Sequence, residues 1–426
     1  MVTNAFVKLW GMTLGAITWD ERQQLASFEY DKNFDLKKFP VAPIKMPRHQ
    51  VYNFPELRTE TFKGLPGLLA DALPDRYGTD LINIWLAQNG RPINSLSPVE
   101  LLCFMGQRSM GALEFEPTIA PKSKVQSIEL ASLIEYTRSL LSQKEDMAIQ
   151  THEDMRDTMI DVLKMGTSAG GARPKAIIAY NEENGEIRSG QTLPGNGFEH
   201  WLIKFDGVSD AQFGATVGYG RVEMAYYAMA KATGIEIMES RLVEENDRAH
   251  FMTKRFDRIK GEEKVLVQTF CAIQHYDYQK PTSYSYEQLF QTMLQLRLSY
   301  AEAEEMFRRM TFNVIARNCD DHTKNFAFMM KQDGIWQLSP AYDICHAYRP
   351  DSEWVSQHNL SINGKRNQIN KEDLLKIADQ FNIKHAERII QEVSTVVNEW
   401  KTYADQYGVN TLLRDSIDDT LLRDFK

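Results

Sequence analysis

The 426-residue sequence has few cysteines and no surplus of positive charge. Its four cysteines, Cys103, Cys271, Cys319 and Cys345, stand far apart and form no CxxC pair. This spacing argues against a zinc finger or a disulfide framework and favours a reducing compartment. The formal net charge of −9 disfavours a protein whose whole surface tracks nucleic acid. We find no internal repeat and no low-complexity tract.

Long apolar runs are also missing. No stretch approaches the roughly twenty apolar residues that a membrane-spanning helix needs. Residues 1–21 lack a basic start followed by a long apolar core, so we expect no signal peptide. With 43% apolar and 25% charged residues, the composition is that of a globular protein. We therefore expect a soluble, cytoplasmic protein with no membrane partner.

The first part of the chain alternates apolar and polar residues, which predicts a meander of short strands over residues 1–45. A proline-rich loop follows, and GLPGLLADALPDRYGTDLINIWLAQNG predicts a helical stretch interrupted at Pro74 and closed by Gly90. SPVELLCFMGQRSMGALEFEP predicts a helix, a turn and a strand. Residues 117–127 resemble a linker, so we expect an N-terminal domain of residues 1–120.

The remainder predicts strands with one inserted helix and then a largely helical region. Two helices are expected over 128–143 and 153–165, followed by a hairpin that turns at Asn184-Gly185. HWLIKFD, RLVEE and HFMTKRFDR read as strands, and GRVEMAYYAMAKATGI reads as a helix that ends at Gly234. From about residue 285 onward we expect mainly helix. The fold class is therefore α/β, of the α+β kind.

The stretch FNVIARNCDDHTKNFAFMM, residues 312–330, places charged residues between apolar runs. Burying such charges is costly unless they are paired or bind a ligand. Asp320 and Asn325 have the spacing D-x-x-x-x-N of the protein-kinase catalytic loop, in which the Asp accepts a hydroxyl proton and the Asn holds magnesium. Taken alone, this spacing indicates an N-capped turn rather than a catalytic loop, since Asp and Asn favour caps and turns.

A second carboxylate, Asp343, ends the strand-like run IWQLSPAYDI downstream. Kinases keep another magnesium-binding carboxylate at such a position, and Mg²⁺ prefers oxygen ligands. Taken alone, Asp343 fits a turn residue just as well.

Two lysines lie near other nucleotide-binding signals. GTSAGGARPK forms a loop of small residues from Gly166 to Ala172, whose backbone N–H groups can approach phosphate oxygens, and Lys175 follows it. Lys204 interrupts the apolar strand HWLIKFD, where phosphates and the helical Glu223 are candidate partners. The alternatives are a flexible turn for the loop and a solvent-facing edge strand for Lys204.

Residues 166–170 also satisfy G-x-S-x-G, the nucleophile elbow of serine hydrolases. That elbow needs a buried strand before the serine and a helix after it. Here MRDTMIDVLKM predicts a helix before the serine, and ARPKAIIAY predicts a strand after it. The order is reversed, so this interpretation falls behind the kinase one.

The kinase-like signals also occur in kinase order, with HFMTKRF as a candidate nucleotide-contacting hinge. GTSAGGARPKA, HWLIKFD, TKRFDR, NCDDHTKNFAF and LSPAYDI together resemble the HipA family of serine/threonine-protein kinases, which are toxins of type II toxin–antitoxin pairs. GLPGLLADALPDRYG and GQRSMGALEFEP resemble the N-terminal subdomain of that family. The resemblance covers most of the chain, from about residue 5 to about residue 400.

The resemblance implies a role for each matching residue. Asp320 is the implied catalytic base, and Asn325 and Asp343 are the implied magnesium ligands. Ser168 matches the serine that these kinases autophosphorylate, which adds a charge of nearly −2 to the loop and inactivates the enzyme. The implied ATP-binding residues are Ala169, Gly170, Gly171, Ala172, Arg173, Lys175, Lys204, Lys254, Arg255, Phe256, His322, Lys324 and Tyr342.

It also implies a protein-kinase-like fold with a β-rich N-terminal subdomain, residues 1–120, and a kinase core, residues 121–426. Within the core, 121–260 would be the nucleotide-binding part and 261–426 an all-helical part with the catalytic loop. The implied cofactors are ATP and Mg²⁺. The implied partners are a translation component as substrate, such as an aminoacyl-tRNA synthetase, and a HipB-like helix-turn-helix antitoxin, through which operator DNA is contacted indirectly.

Three further expectations concern residues without a catalytic role. We expect Asp321 to point elsewhere in an extended loop, and Cys319 to serve in packing. The cluster NGKRNQINK is expected to be a solvated loop, with phosphate contacts in a DNA complex as the alternative.

Two functions remain open at this point. The first is a Mg–ATP-dependent serine/threonine kinase that acts as a toxin. The second is a catalytically weak nucleotide-binding co-repressor that works with a DNA-binding antitoxin. The presence of Asp320, Asn325, Asp343 and Lys204 favours the first.

Overall fold

The structure is a computed structural model that describes residues 2–120, 174–190, 195–207, 217–245, 248–259, 263–423 and 425. These residues form two compact units, which are described separately. Unit 1 spans Met1–Val41, Met46–Val217 and Val243–Val267, and unit 2 spans Ala42–Lys45, Gly218–Leu242 and Gln268–Lys426. The two helices predicted over 128–143 and 153–165 lie outside the described residues.

Unit 1 begins with a five-stranded antiparallel sheet in the order β4-β3-β2-β1-β5. Its strands are β1 Asn4–Leu9, β2 Met12–Asp20, β3 Leu25–Tyr30, β4 Val51–Tyr52 and β5 Leu113–Glu116. Trp10 and Gly11, both with positive φ, form the tight turn between β1 and β2. Alternate residues such as Val7, Leu9 and Phe28 are fully buried, which confirms the predicted meander as far as Tyr30. Residues 31–45, which were included in the prediction, form no strand.

Four helices of unit 1 follow the meander: α1 Thr59–Phe62, α2 Gly67–Ala70, α3 Arg76–Gln88 and α4 Pro98–Met105. The helical stretch is interrupted at Pro74, as predicted, and Asp75 caps α3 by accepting a hydrogen bond from the Gly78 N–H at 2.7 Å. Ser97 and Glu100 form a capping box at the start of α4.

A second antiparallel sheet completes unit 1, in the order β7-β6-β8-β10-β9. Its strands are β6 Lys175–Asn181, β7 Ile187–Ser189, β8 Phe198–Lys204, β9 Ser240–Glu245 and β10 Arg248–Lys254, and a small hairpin pairs β11 Arg258–Ile259 with β12 Glu263–Lys264. Strands β6 and β7 form the hairpin predicted around Asn184-Gly185. Ile178 and Trp201 of this sheet share one apolar core with Leu81 of α3 and Phe104 of α4. The N-terminal helices therefore pack on the second sheet.

Unit 2 is mainly helical, as predicted, although short strands are interspersed. The helices are α5 Tyr219–Ala232, α6 Phe270–Gln274, α7 Tyr286–Gln295, α8 Tyr300–Ile315, α9 Lys371–Gln380, α10 Ala386–Asn398, α11 Trp400–Gln406 and α12 Thr411–Asp418. The short strands of this part of the chain are β13 Leu266–Thr269, β14 Tyr284–Ser285, β15 Ala327–Met330, β16 Trp336–Leu338 and β17 Leu360–Ser361.

Helix α8 packs against α7 and α10 in unit 2. It starts at a capping box formed by Ser299 and Glu302. Phe312 in its buried half contacts Tyr226 of α5 edge to face, with ring centroids 6.1 Å apart. Among the helices that the structure describes, we find none with the length and apolar character needed to cross a membrane.

Candidate active site

The candidate catalytic loop, residues 316–326, connects α8 to β15. Backbone hydrogen bonds fix it on both sides. The Cys319 N–H donates to the Ala347 carbonyl at 3.1 Å, and the Cys271 N–H donates to the Thr323 carbonyl at 2.9 Å. Cys319 is fully buried, in keeping with the packing role expected for it. The loop therefore holds its side chains in defined places.

The buried side chain of Asp321 holds this loop in place. Its side chain is inaccessible to solvent and accepts hydrogen bonds from the Tyr286 hydroxyl at 2.9 Å, His358 Nδ1 at 2.9 Å and the Asn359 N–H at 2.7 Å. A buried carboxylate needs such partners, because leaving it unpaired is costly. As expected, Asp321 points elsewhere than the exposed Asp320, but it has a structural role that the sequence did not indicate, because its buried carboxylate binds groups distant in sequence.

His358 is the cationic partner of Asp321. Burial is the largest single influence and lowers the pKa of His358, but the charge of Asp321, the neighbouring Cys319 and the hydrogen bonds to both together outweigh burial and raise the pKa to about 10. His358 Nε2 lies 3.8 Å from Cys319 Sγ, next to the predicted base. Asp321 and His358 thus form a buried ion pair that joins the catalytic loop to the segment around His358.

A chain of buried side chains extends this network into α8. The Asn318 amide donates to Asn313 at 2.9 Å, and the Asn313 amide donates to the Tyr286 hydroxyl at 3.0 Å. Linked hydrogen bonds of this kind polarise one another and favour one arrangement. These residues were not predicted as part of the site. The signal available was Asn313, a polar residue inside the apolar run FNVIARN.

Asn325 closes the loop around Asp320. Its amide nitrogen donates to the Asp320 backbone carbonyl at 2.7 Å, which directs its amide oxygen away from that carbonyl. The Asp320 side chain is 47% exposed, so a substrate hydroxyl can reach its carboxylate. The D-x-x-x-x-N spacing therefore corresponds to a closed turn with an accessible carboxylate.

Asp343 follows β16 and lines the same cleft as Asn325. Its φ of 52° lies in the left-handed region, which is uncommon outside glycine and costs on the order of 1–3 kcal/mol. Residues in such conformations cluster at functional sites. The adjacent Tyr342 hydroxyl donates to the Lys324 carbonyl at 2.7 Å and so ties this segment to the catalytic loop.

His322 and Lys324 form a small cluster with Tyr278. His322 Nε2 lies 3.9 Å from Asp320 Oδ1, and His322 Nδ1 accepts a hydrogen bond from the Lys324 N–H at 3.2 Å. Lys324 Nζ lies 4.7 Å from the centroid of the Tyr278 ring, within cation–π range. These side chains lie beside the predicted base.

The donors at this cleft suit magnesium. Asn325 offers an amide oxygen and Asp343 a carboxylate, and Mg²⁺ takes one or two such oxygen ligands together with waters and substrate phosphates. Because the Asn325 amide nitrogen donates to the Asp320 carbonyl, the amide oxygen is the atom that can bind a cation. Asn325 and Asp343 are therefore the residues that would hold the ion.

Lys175 and Lys204, the two lysines predicted to bind the nucleotide, belong to unit 1. They are directly opposite each other in the antiparallel strands β6 and β8. Lys204 Nζ lies 5.7 Å from the centroid of the Phe251 ring. Lys175 is 2% exposed and forms an ion pair with Asp75, with Nζ 3.0 Å from Oδ2. The charge of Lys175 is therefore paired within unit 1.

The predicted hinge also has local partners. Lys254 ends β10 and pairs with Glu199, while the Arg255 N–H donates to the His200 carbonyl at 2.9 Å. The buried Arg255 guanidinium donates to Asp257 at 2.6 and 2.8 Å. The side chains of Lys254 and Arg255 are thus engaged within unit 1, and nucleotide contact by the hinge, including the half-buried Phe256, stays a prediction.

Other predicted site residues lie outside the described residues: Ser168, Ala169, Gly170, Gly171, Ala172 and Arg173. Within unit 2, the structure brings together Asp320, His322, Lys324, Asn325, Tyr342 and Asp343. The cluster NGKRNQINK was expected to be a solvated loop, which was wrong for Arg366. Its guanidinium donates to the carbonyls of Pro281 at 2.7 Å and Tyr284 at 3.0 Å.

Two family models match this sequence. The model of the HipA-like C-terminal domain matches residues 167–400, and the model of the HipA N-terminal domain matches residues 5–116. This chain belongs to the HipA family.

Curated relatives agree with this family. The serine/threonine-protein kinase toxin HipA of Shewanella oneidensis is 22% identical over 362 residues, which cover 78% of this chain and 72% of that protein. The putative kinase Y4dM of Sinorhizobium fredii is 25% identical over 228 residues, which cover 50% of this chain and 53% of that protein. The enzyme class of this HipA-family chain is accordingly a protein kinase.

A solved structure shows the same fold. The Shewanella oneidensis complex of HipA, HipB and operator DNA contains a chain that matches with a TM-score of 0.64 at 18% identity, covering 99% of this chain and 100% of that one. The predicted α+β class, with a β-rich N-terminal region and a helical C-terminal region, is confirmed.

Proposed function

We propose that this HipA-family protein is a Mg–ATP-dependent serine/threonine-protein kinase whose catalytic base is Asp320. The observation that carries the proposal is the hydrogen bond from the Asn325 amide to the Asp320 carbonyl, at 2.7 Å. It closes a D-x-x-x-x-N loop in which the Asp320 carboxylate is exposed, and Asn325 of this loop lines a cleft together with a second acidic residue, Asp343. Kinases use this set of groups for phosphoryl transfer.

The chemistry follows from these positions. The Asp320 carboxylate accepts the proton of a serine or threonine hydroxyl as that oxygen forms a bond to the γ-phosphorus of ATP. The bond between the γ-phosphorus and the oxygen that bridges it to the β-phosphate breaks, and ADP leaves with that oxygen. Magnesium held by Asn325 and Asp343, when bound, neutralises charge on the phosphates. Asp321 and His358 hold the loop so that Asp320 stays in place.

In this proposal the nucleotide is bound by the residues that the family resemblance implies, Lys175 excepted. Lys204 supplies a cation for the phosphates, and the backbone of Lys254, Arg255 and Phe256 contacts the base. His322, Lys324 and Tyr342 border the ATP site on the side of the catalytic loop. The remaining contacts come from the small-residue run Ala169, Gly170, Gly171, Ala172 and Arg173, whose N–H groups suit phosphate oxygens.

We further propose that the kinase is the toxin of a type II toxin–antitoxin pair. The name of the Shewanella oneidensis relative and the complex of its HipA with HipB and operator DNA support this role. The partner would be a HipB-like helix-turn-helix antitoxin, which contacts operator DNA. The substrate would be a translation component such as an aminoacyl-tRNA synthetase, and autophosphorylation of Ser168 would silence the enzyme.

The test is incubation of the purified protein with magnesium, labelled ATP and translation factors, followed by mapping of phosphorylated sites by mass spectrometry. We expect phosphate on Ser168 and on at least one translation factor. Asp320→Asn should abolish both signals, whereas the matched control Asp351→Asn, at an exposed aspartate of the same unit, should retain them. Absence of phosphate from every protein in the wild-type reaction would refute the proposal.

Expression in a host separates this function from a co-repressor. Growth arrest that Asp320→Asn abolishes supports a kinase toxin. Arrest that persists unchanged in this variant would instead favour a role through binding alone.

A further inference from the structure

A buried ion pair joins the N-terminal helices to the nucleotide-binding sheet within unit 1. Asp75 precedes α3 and Lys175 begins β6, with 100 residues between them in sequence. The Lys175 side chain is 2% exposed and that of Asp75 is 11% exposed, and Nζ lies 3.0 Å from Oδ2. A lysine is retained at such a buried position only with a partner, because desolvation of an unpaired ammonium is costly.

Each carboxylate oxygen of Asp75 has its own partner. Oδ1 accepts the hydrogen bond from the Gly78 N–H that caps α3, at 2.7 Å, and Oδ2 accepts from Lys175. The cap fixes the carboxylate relative to the helix, so the helix in turn fixes the lysine and the first residue of β6. Asparagine caps helices about as well as aspartate, so the two tasks can be separated by mutation.

Lys175 lies opposite Lys204 in the antiparallel pair of β6 and β8. Side chains that are directly opposite lie on the same face of the sheet, roughly 5 Å apart at Cβ, and like charges there repel each other. The negative charge of Asp75 offsets the charge of Lys175. Lys204 can therefore present its ammonium to an anion without competition from its neighbour.

We propose that Asp75 is a positioning residue for ATP binding, which acts by holding Lys175 against the N-terminal helices and so setting the place of β6 and of Lys204. This inference rests on the proposed kinase function. Lys175 then serves as an anchor and does not contact the phosphates, which narrows the role predicted for it from sequence. The N-terminal region becomes part of the nucleotide-binding apparatus.

The test is a double-mutant cycle with Asp75→Asn and Lys175→Met, measured as KM for ATP and kcat. Asp75→Asn keeps the helix cap and removes the charge, so we expect KM to rise roughly tenfold or more while kcat changes far less. The double variant removes both charges, and replacing both members of a buried pair is often neutral. We therefore expect its KM to return to within about threefold of the wild-type value.

Two results would overturn the inference. An unchanged KM in Asp75→Asn would show that the ion pair does not influence the nucleotide. A double variant as impaired as Asp75→Asn would show that Lys175 itself binds ATP. Failure of the proposed function looks different, because then the wild-type protein itself neither binds ATP nor transfers phosphate.

Hydrogen exchange gives a second measure that needs no ATP. Amides at the start of β6 should exchange faster in Asp75→Asn than in the wild type and should recover protection in the double variant. Asp75→Glu keeps the charge but weakens the helix cap, so it should lower the melting temperature while changing the KM for ATP little. Unaltered exchange at β6 in Asp75→Asn would contradict the anchoring role.

Discussion

Replacing Asp321 with asparagine removes the buried carboxylate that keeps His358 charged beneath the catalytic loop. Breaking a buried ion pair by removing one partner costs about 3–5 kcal/mol. Asparagine retains an acceptor for the Asn359 N–H, which now lies 2.7 Å from Asp321 Oδ1, so we expect a loss near the lower limit, about 3 kcal/mol. The loop also loses its anchor, and we expect kcat to fall about a hundredfold.

The stability difference should depend on pH in a defined direction. In the folded protein the pKa of His358 is raised from 6.5 to about 10. The stability that this shift contributes is fully present below pH 6.5 and is lost as the pH rises towards 10. Its slope is at most about 1.4 kcal/mol per pH unit. In Asp321→Asn, burial dominates and His358 loses its charge, so this slope disappears.

The assay is urea denaturation of the wild type and of Asp321→Asn between pH 6 and pH 9.5. Other titrating groups are common to both proteins, so the difference between the two free energies of unfolding isolates the pair. We expect the largest difference at the acid end and a steady decrease towards pH 9.5, with Asp351→Asn as an exposed control that follows the wild type. A difference below about 1 kcal/mol at pH 6, or one that is constant with pH, would refute this account of the anchor.

Three further predictions concern other residues. Burial alone raises the pKa of Asp257, but the charges of Arg255 and Arg258 hold that pKa below its usual range. Asp257→Asn should therefore lower the free energy of unfolding near neutral pH by about 3–5 kcal/mol, measured by urea denaturation. This loss should shrink at acid pH, where the wild-type carboxylate becomes protonated. Tyr342→Phe removes the 2.7 Å hydrogen bond to the Lys324 carbonyl and should lower the free energy of unfolding by about 1 kcal/mol. An unchanged free energy of unfolding would contradict this prediction. Ser168→Ala should retain transfer to a protein substrate and lose self-inactivation on incubation with ATP; continued self-inactivation would contradict the role of Ser168.

Features that depend on short sequence spans were predictable. Alternation of apolar residues indicated the strands β1 to β3, and Pro74 marked the break before α3. The spacing of Asp320 and Asn325 within one short loop indicated either a kinase catalytic loop or an N-capped turn. The hydrogen bond between them has the geometry that such a turn requires.

Features that depend on tertiary contacts were not predictable from one sequence. Asp321 was left without a role because its partners Tyr286 and His358 lie 35 and 37 residues away. Lys175 was assigned to ATP by the resemblance of GTSAGGARPKA to the family, and its partner Asp75, 100 residues distant, left no local signal. Burial decides the role of each charge, and no local pattern reports burial.

The central claim is that Asp320 acts as the base for phosphoryl transfer and is not an ATP ligand. The most direct measurement is single-turnover phosphate transfer at saturating ATP and magnesium, with the Kd for ATP determined in parallel for the wild type and Asp320→Asn. We expect transfer to slow by about a hundredfold to ten-thousandfold, while the Kd for ATP stays within about threefold. Transfer at the wild-type rate in Asp320→Asn would contradict the claim.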